Sequence, residues 1–71
     1  MDLREYYLAL TTDEARTAFV RRAETSKRYI HQMTSRGRFK RRPGPQLARR
    51  LHTASGGAVP LSKLRPDIWP A

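Results

Sequence analysis

The stretch Arg16-Thr17-Ala18-Phe19-Val20-Arg21-Arg22-Ala23-Glu24-Thr25-Ser26-Lys27-Arg28-Tyr29-Ile30-His31-Gln32-Met33 carries a helical apolar period that is broken once. Ala15, Phe19 and Ala23 stand four residues apart, with Val20 beside them, so a helix over about 12–23 has one apolar face. Ile30 and Met33 stand three apart and give a second helix, ending near Thr34, its inward face. Glu24-Thr25-Ser26 interrupts the pattern, and Thr25 or Ser26 can cap the second helix with a hydroxyl. Two short helices joined by such a turn have the form of a helix-turn-helix, predicted here over about 14–34. In that arrangement the first helix braces the second, whose outward side chains meet base edges in the DNA major groove. The outward set is Thr25, Ser26, Lys27, Arg28, His31 and Gln32. Arg and Lys match the acceptors of guanine, and Gln can bond adenine through two hydrogen bonds.

Towards the N-terminus, Asp2 can cap a first helix whose face is Leu3, Tyr6 or Tyr7, and Leu10. Thr11-Thr12-Asp13-Glu14 reads as a capping box in which Thr11 and Glu14 satisfy one another's backbone N–H groups. Beyond Met33, Gly37 and Pro43-Gly44 mark residues 35–44 as a loop. Pro45 suits the first turn of a fourth helix with Leu47, Ala48, Leu51 and Ala54 or Ser55 at helical spacing. Gly56-Gly57 predicts a left-handed cap to that helix. Pro60 opens a short fifth helix through Leu64, and the two prolines of the 65–71 tail predict extended chain there. No stretch alternates apolar and polar residues with period two. The expected fold is therefore all-α, in one domain spanning residues 1–71.

Charge is distributed unevenly along this frame. The net charge is +9, and residues 16–50 hold twelve Lys or Arg against one acid, Glu24. Such a field predicts a polyanionic partner, with nucleic acid ahead of an anionic membrane surface. The expected phosphate or minor-groove contacts are Arg16, Arg22, Arg36, Arg38, Lys40, Arg41 and Arg42, with Arg21, Arg49 and Arg50 as secondary ones. Contacts of this kind give affinity and register rather than sequence preference.

Ala23-Glu24-Thr25-Ser26 through Met33, the arginine loop, Pro45-Gln46-Leu47-Ala48-Arg49-Arg50-Leu51, Gly56-Gly57-Ala58-Val59 and Leu64-Arg65-Pro66-Asp67-Ile68-Trp69 together resemble the small Cro-like repressors of phages and prophages. Within that group the chain looks most like the YdaS-type antitoxins. The resemblance covers nearly the whole sequence, and its most specific part is the pairing of Gly-Gly-Ala-Val with Leu-Arg-Pro-Asp-Ile-Trp. It implies a compact four- to five-helix domain like that of lambda repressor. It also implies a transcriptional repressor that binds a double-stranded operator as a homodimer. A toxin protein bound by an autoregulating antitoxin is the alternative partner. The chain departs from the family's pattern in its arginine loop, which is longer and more basic than the usual connection, at Pro60, where a threonine cap is common, and at two positions of the helix-turn-helix. Glu24 stands where the turn usually carries glycine, so a left-handed glutamate costing about 1 kcal/mol is expected there. Val20 replaces the usual small residue of the bracing helix.

Leu64, Ile68 and Trp69 form an apolar C-terminal group that either closes the core or makes a dimer seam, since tryptophan is a typical interface anchor. The chain has no cysteine, and His31 and His52 lie far apart without an acid cluster, so no metal or other cofactor is expected. No motif orders a catalytic set, and the expectation is a protein that is not an enzyme. No apolar run nears the roughly 20 residues of a membrane span. The expected location is the cytoplasm, bacterial or of an infected host cell. A small RNA-binding protein is a third reading of the same charge.

Overall fold

Short polar side chains, prolines and left-handed residues set most of the helix limits among the described residues. The computed structural model describes residues 1–34 and 42–70. Among them are five helices and no strand: α1 (Leu3–Ala9), α2 (Asp13–Arg22), α3 (Lys27–Thr34), α4 (Pro45–Ala54) and α5 (Leu61–Leu64). The all-α expectation holds.

The Asp2 carboxylate accepts the Glu5 N–H at 2.8 Å and starts α1, as its place before the apolar period predicts. The start of α2 corrects the sequence reading by one residue. Thr12, not Thr11, is the cap, and its hydroxyl accepts the Ala15 N–H at 3.1 Å. The Thr11–Glu14 capping box therefore does not form. The reason is the end of α1: Leu10 still donates to Tyr7 O, so Thr11 is needed to redirect the chain. Asp13 and Glu14 remain in the first turn, where they suit the positive end of the helix dipole.

The end of α2 is built as the sequence predicts. Glu24 has φ of 53°, and the chain closes over it with Glu24 N–H to Arg21 O and Thr25 N–H to Val20 O. This is a Schellman cap, whose left-handed position glycine fills without strain. Replacing Glu24 by glycine is expected to stabilise the fold by about 1 kcal/mol, the left-handed penalty being larger than the loss of one exposed ion pair. Thermal unfolding should shift upward by roughly 4–8 °C. An unchanged or lower midpoint would show that the turn tolerates glutamate.

Ser26, rather than Thr25, caps α3 by accepting the Tyr29 N–H at 3.1 Å. Gly44 and Pro45 open α4, and Gly56 and Gly57 end it with φ of 65° and 86°. Gly57 N–H reaches back to His52 O. Pro60 precedes α5 as expected.

The core is a single cluster in which Phe19, Ile30, Leu51 and Val59 are fully buried. Leu3, Val20, Ala23, Met33, Ala48, Ala54 and Leu64 complete it. α2 is the central element and packs on both α3 and α4, while α4 carries α5. The rings of Tyr6 and Tyr7 lie 5.0 and 6.4 Å from that of Phe19 and join α1 to α2. Ala23 of the α2 cap and Ala48 of α4 are also fully buried.

The tail is a turn and not the extended segment its prolines suggest. Ile68 and Trp69 both donate to Arg65 O, at 3.1 and 2.9 Å. Proline's fixed φ suits the second position of a turn, so Pro66 promotes this geometry. Leu64 is buried, so it belongs to the core and is not available to a dimer surface. Trp69 folds back against the core with the Arg49 guanidinium 5.7 Å from its ring, while Ile68 stays exposed. Of the candidate interface residues, Ile68 alone is left facing solvent.

Arg65 organises this end of the chain. It grips Asp67 through Nε and Nη2 at 2.9 and 2.7 Å, and its Nη1 donates to Pro43 O at 2.9 Å. The guanidinium's hydrogen bonds hold the Asp67 carboxyl down to about 2. A carboxyl depressed in the folded state contributes stability above its unfolded pKa of about 3.9 and loses it as pH falls through the folded value. Trp69 fluorescence should therefore report release of the tail between about pH 4 and pH 2. In Asp67→Asn that transition should be absent.

Candidate nucleic-acid interface

α3 crosses α2 beyond the Glu24 turn and buries Ile30 and Met33 against it. The opposite side of α3 is open, and the helix period divides its polar residues between two directions. Arg28 and Gln32, four residues apart, point away from the core. Arg28 is exposed and Gln32 half-buried. Arg28 makes no ion pair or hydrogen bond through its side chain among the described residues. Lys27 and His31, also four apart, lie on the flank towards α1 and the start of α2. Tyr29 is half-buried and packs on the core.

The other members of the predicted recognition set are placed less simply. Ser26 is exposed, but its oxygen serves the α3 cap. Thr25 is half-buried in the turn. Lys27 Nζ lies 2.6 Å from the Asp13 carboxylate, which ties the first turn of α3 to the first turn of α2. The Lys27 hydrogen bond and charge hold the Asp13 carboxyl below the usual carboxylate range. Lys27 thus meets any incoming anion already paired.

The arginines divide by role. Arg22 Nε donates to Ala54 O at 3.3 Å, and Arg50 Nε donates to Ala23 O at 3.1 Å. These two bonds cross between α2 and α4 in opposite senses. Each brings a cation to the last carbonyls of the other helix, where orphan acceptors and the dipole favour it. Arg50 also stands 3.7 Å from the Glu24 carboxylate. Arg49 covers Trp69. Sequence reading assigned these three to phosphates, yet each also has a structural task. Their partner carbonyls lie 27 and 32 residues away along the chain, and no side-chain pattern announces such acceptors. Arg42 is exposed and 3.9 Å from Asp67. Arg21 is exposed on α2. Arg36, Arg38, Lys40 and Arg41 lie outside the described residues.

Arg16 differs from the rest. Its guanidinium lies 5.0 Å over the Tyr7 ring, and its Nε is buried without a hydrogen-bond partner. It lines a notch of about 310 Å³ with Arg4, Tyr7, Leu8, His31 and Thr34. Arg4 was not singled out from sequence, because it stands twelve residues before the basic stretch begins. Only the fold of α1 onto α2 brings it beside Arg16.

No helix among the described residues is long and apolar enough to cross a membrane. No family model, curated protein or solved structure matches this chain.

Proposed function

We propose that the chain is a sequence-specific DNA-binding protein of the Cro type, a repressor whose α2–α3 pair acts as a helix-turn-helix. α3 enters the major groove, Arg28 and Gln32 read base edges, and the flanking cations hold the phosphates. The observation that carries this reading is the exposure of Ser26, Lys27, Arg28 and His31 on the side of α3 away from the buried Ile30 and Met33. Arg28 on that face has a side chain free of partners among the described residues. A net charge of +9 supplies the attraction to a polyanion.

The folded chain measures 32 × 27 × 19 Å. One copy therefore reads a single groove segment, and a homodimer would present two α3 helices about 34 Å apart on one side of the duplex. Selection of binding sites from random duplex DNA tests the reading. The expected product is an inverted repeat whose half-sites are about one helical turn apart. Equal retention of all duplexes, or stronger retention of structured RNA, would overturn it.

Asp13 places a carboxylate beside this surface. Asp13→Asn removes its charge and releases Lys27 to the DNA. Binding to any duplex should tighten about two- to fivefold, an amount typical of one exposed ion pair. Fluorescence anisotropy at fixed salt measures it, and weaker binding would show that Asp13 positions Lys27 rather than restraining it.

A further inference from the structure

We propose that the notch between α1, α2 and α3 is an oxyanion site that grips one phosphate of the DNA strand running beside α3. The assignment of the phosphate to a DNA strand rests on the DNA-binding reading above; the anion site itself does not.

Three elements bring nitrogen donors to this notch: Arg4 from α1, Arg16 from α2 and His31 from α3. Among the described residues no carboxylate lines it. Asp13, the acid whose titration feels Arg16, is already engaged by Lys27. The Arg16 guanidinium carbon lies 5.0 Å over the Tyr7 ring, whose face attracts the cation. Arg16 Nε is the single buried side-chain polar atom without a partner among the described residues. Buried donors of this kind are seldom left unmatched, and a turn of the Arg16 side chain into the notch would let Nε make a charge-assisted bond to an oxyanion. A planar guanidinium suits phosphate oxygens in particular, since it can present two parallel N–H groups to them.

The walls agree with an anion that arrives from outside. Leu8 and Tyr7 form the apolar side. Thr34 spends its hydroxyl hydrogen on Ile30 O at 2.9 Å, so it walls the notch without donating into it. The position agrees as well. Lys27, His31 and Thr34 follow one another along one flank of α3, beside the outward face of Arg28 and Gln32. A helix in the major groove has the bordering phosphates along such a flank. His31 thus turns towards a phosphate and leaves base reading to its neighbours.

The test has two arms and uses the intact chain. In the first, the DNA-free protein is titrated with inorganic phosphate, with chloride at matched ionic strength as control, while the Arg16 Nε–H resonance is followed by NMR. A saturable shift with phosphate but not chloride is expected. Arg4→Gln, an exchange on the surface of α1, should weaken it severalfold while leaving the melting temperature near that of the parent. In the second arm, duplex phosphates are replaced one at a time by uncharged methylphosphonates. One phosphate per half-site should emerge whose neutralisation weakens the parent protein about tenfold and weakens Arg4→Gln several times less. A silent Arg16 Nε–H resonance overturns the site even if the duplex binds. A phosphate-dependent shift without a matching duplex position overturns the strand assignment and leaves a site for free phosphate. A protein that shifts with phosphate but binds no duplex overturns the DNA-binding reading and the strand assignment with it, and leaves the anion site standing.

Discussion

Phe19→Ala is expected to leave the chain largely unfolded at room temperature. Phe19 is fully buried at the centre of α2, the helix that packs on both α3 and α4. Its ring also receives Tyr6 and Tyr7, so it holds α1 in place. Truncating a buried phenylalanine costs about 3–5 kcal/mol through lost transfer energy and the cavity left behind. A core of this size supplies little more than about 3–5 kcal/mol in total. Far-UV circular dichroism should show most of the helical signal lost, and a urea titration should give no cooperative transition near that of the parent. The control is Leu8→Ala. Leu8 is 55% exposed, and its truncation should change stability by no more than about 0.5 kcal/mol. A cooperative Phe19→Ala protein with a midpoint close to the parent would mean that α1 and α4 can collapse onto the vacated space.

The same centrality explains why the helices were legible in the sequence. Phe19, Val20, Ala23, Ile30, Met33, Ala48 and Leu51 recur at helical spacing and all are buried. Asp2, Pro45 and Gly56-Gly57 mark boundaries by their own chemistry, because a capping oxygen, a missing N–H and a positive φ act locally. Glu24 was legible for a different reason: resemblance placed glycine there, and the turn is left-handed at the glutamate. What escaped the sequence depended on partners distant along the chain. Thr11 and Thr12 are equally able caps, and the length of α1 decides between them. The 65–70 tail becomes a turn once Arg65 has both Asp67 and Pro43 O to hold. Arg22 and Arg50 look like free cations until each meets the last turn of the other's helix. For the interface, the distinction between outward and flanking side chains of α3 needed the packing of α1, which nothing in residues 25–32 encodes.

That distinction fixes the second large effect, which concerns Arg28. On α3 Lys27 is paired with Asp13, Ser26 serves the cap, and His31 lines the notch. Arg28 is the long side chain on this surface that is both exposed and free of partners among the described residues. If α3 lies in the major groove, its guanidinium can meet guanine O6 and N7 together, a contact that discriminates by about 1–3 kcal/mol. Arg28→Ala is therefore expected to lose about ten- to hundredfold of preference at one base pair of the selected site. Other positions should keep theirs. Arg28→Lys should restore part of the affinity but little of the preference, because an ammonium lacks the planar fork. Gln32→Ala, one helical turn further on, should relax a neighbouring position in the same way. Arg42→Ala, which changes an exposed cation off this helix, should weaken all duplexes alike and flatten the salt dependence by about one counterion. Competition titrations against a set of singly substituted sites separate these outcomes. If Arg28→Ala keeps full preference while His31→Ala loses it, α3 is rotated in the groove so that the flank facing α1, rather than the outermost face, reads the bases.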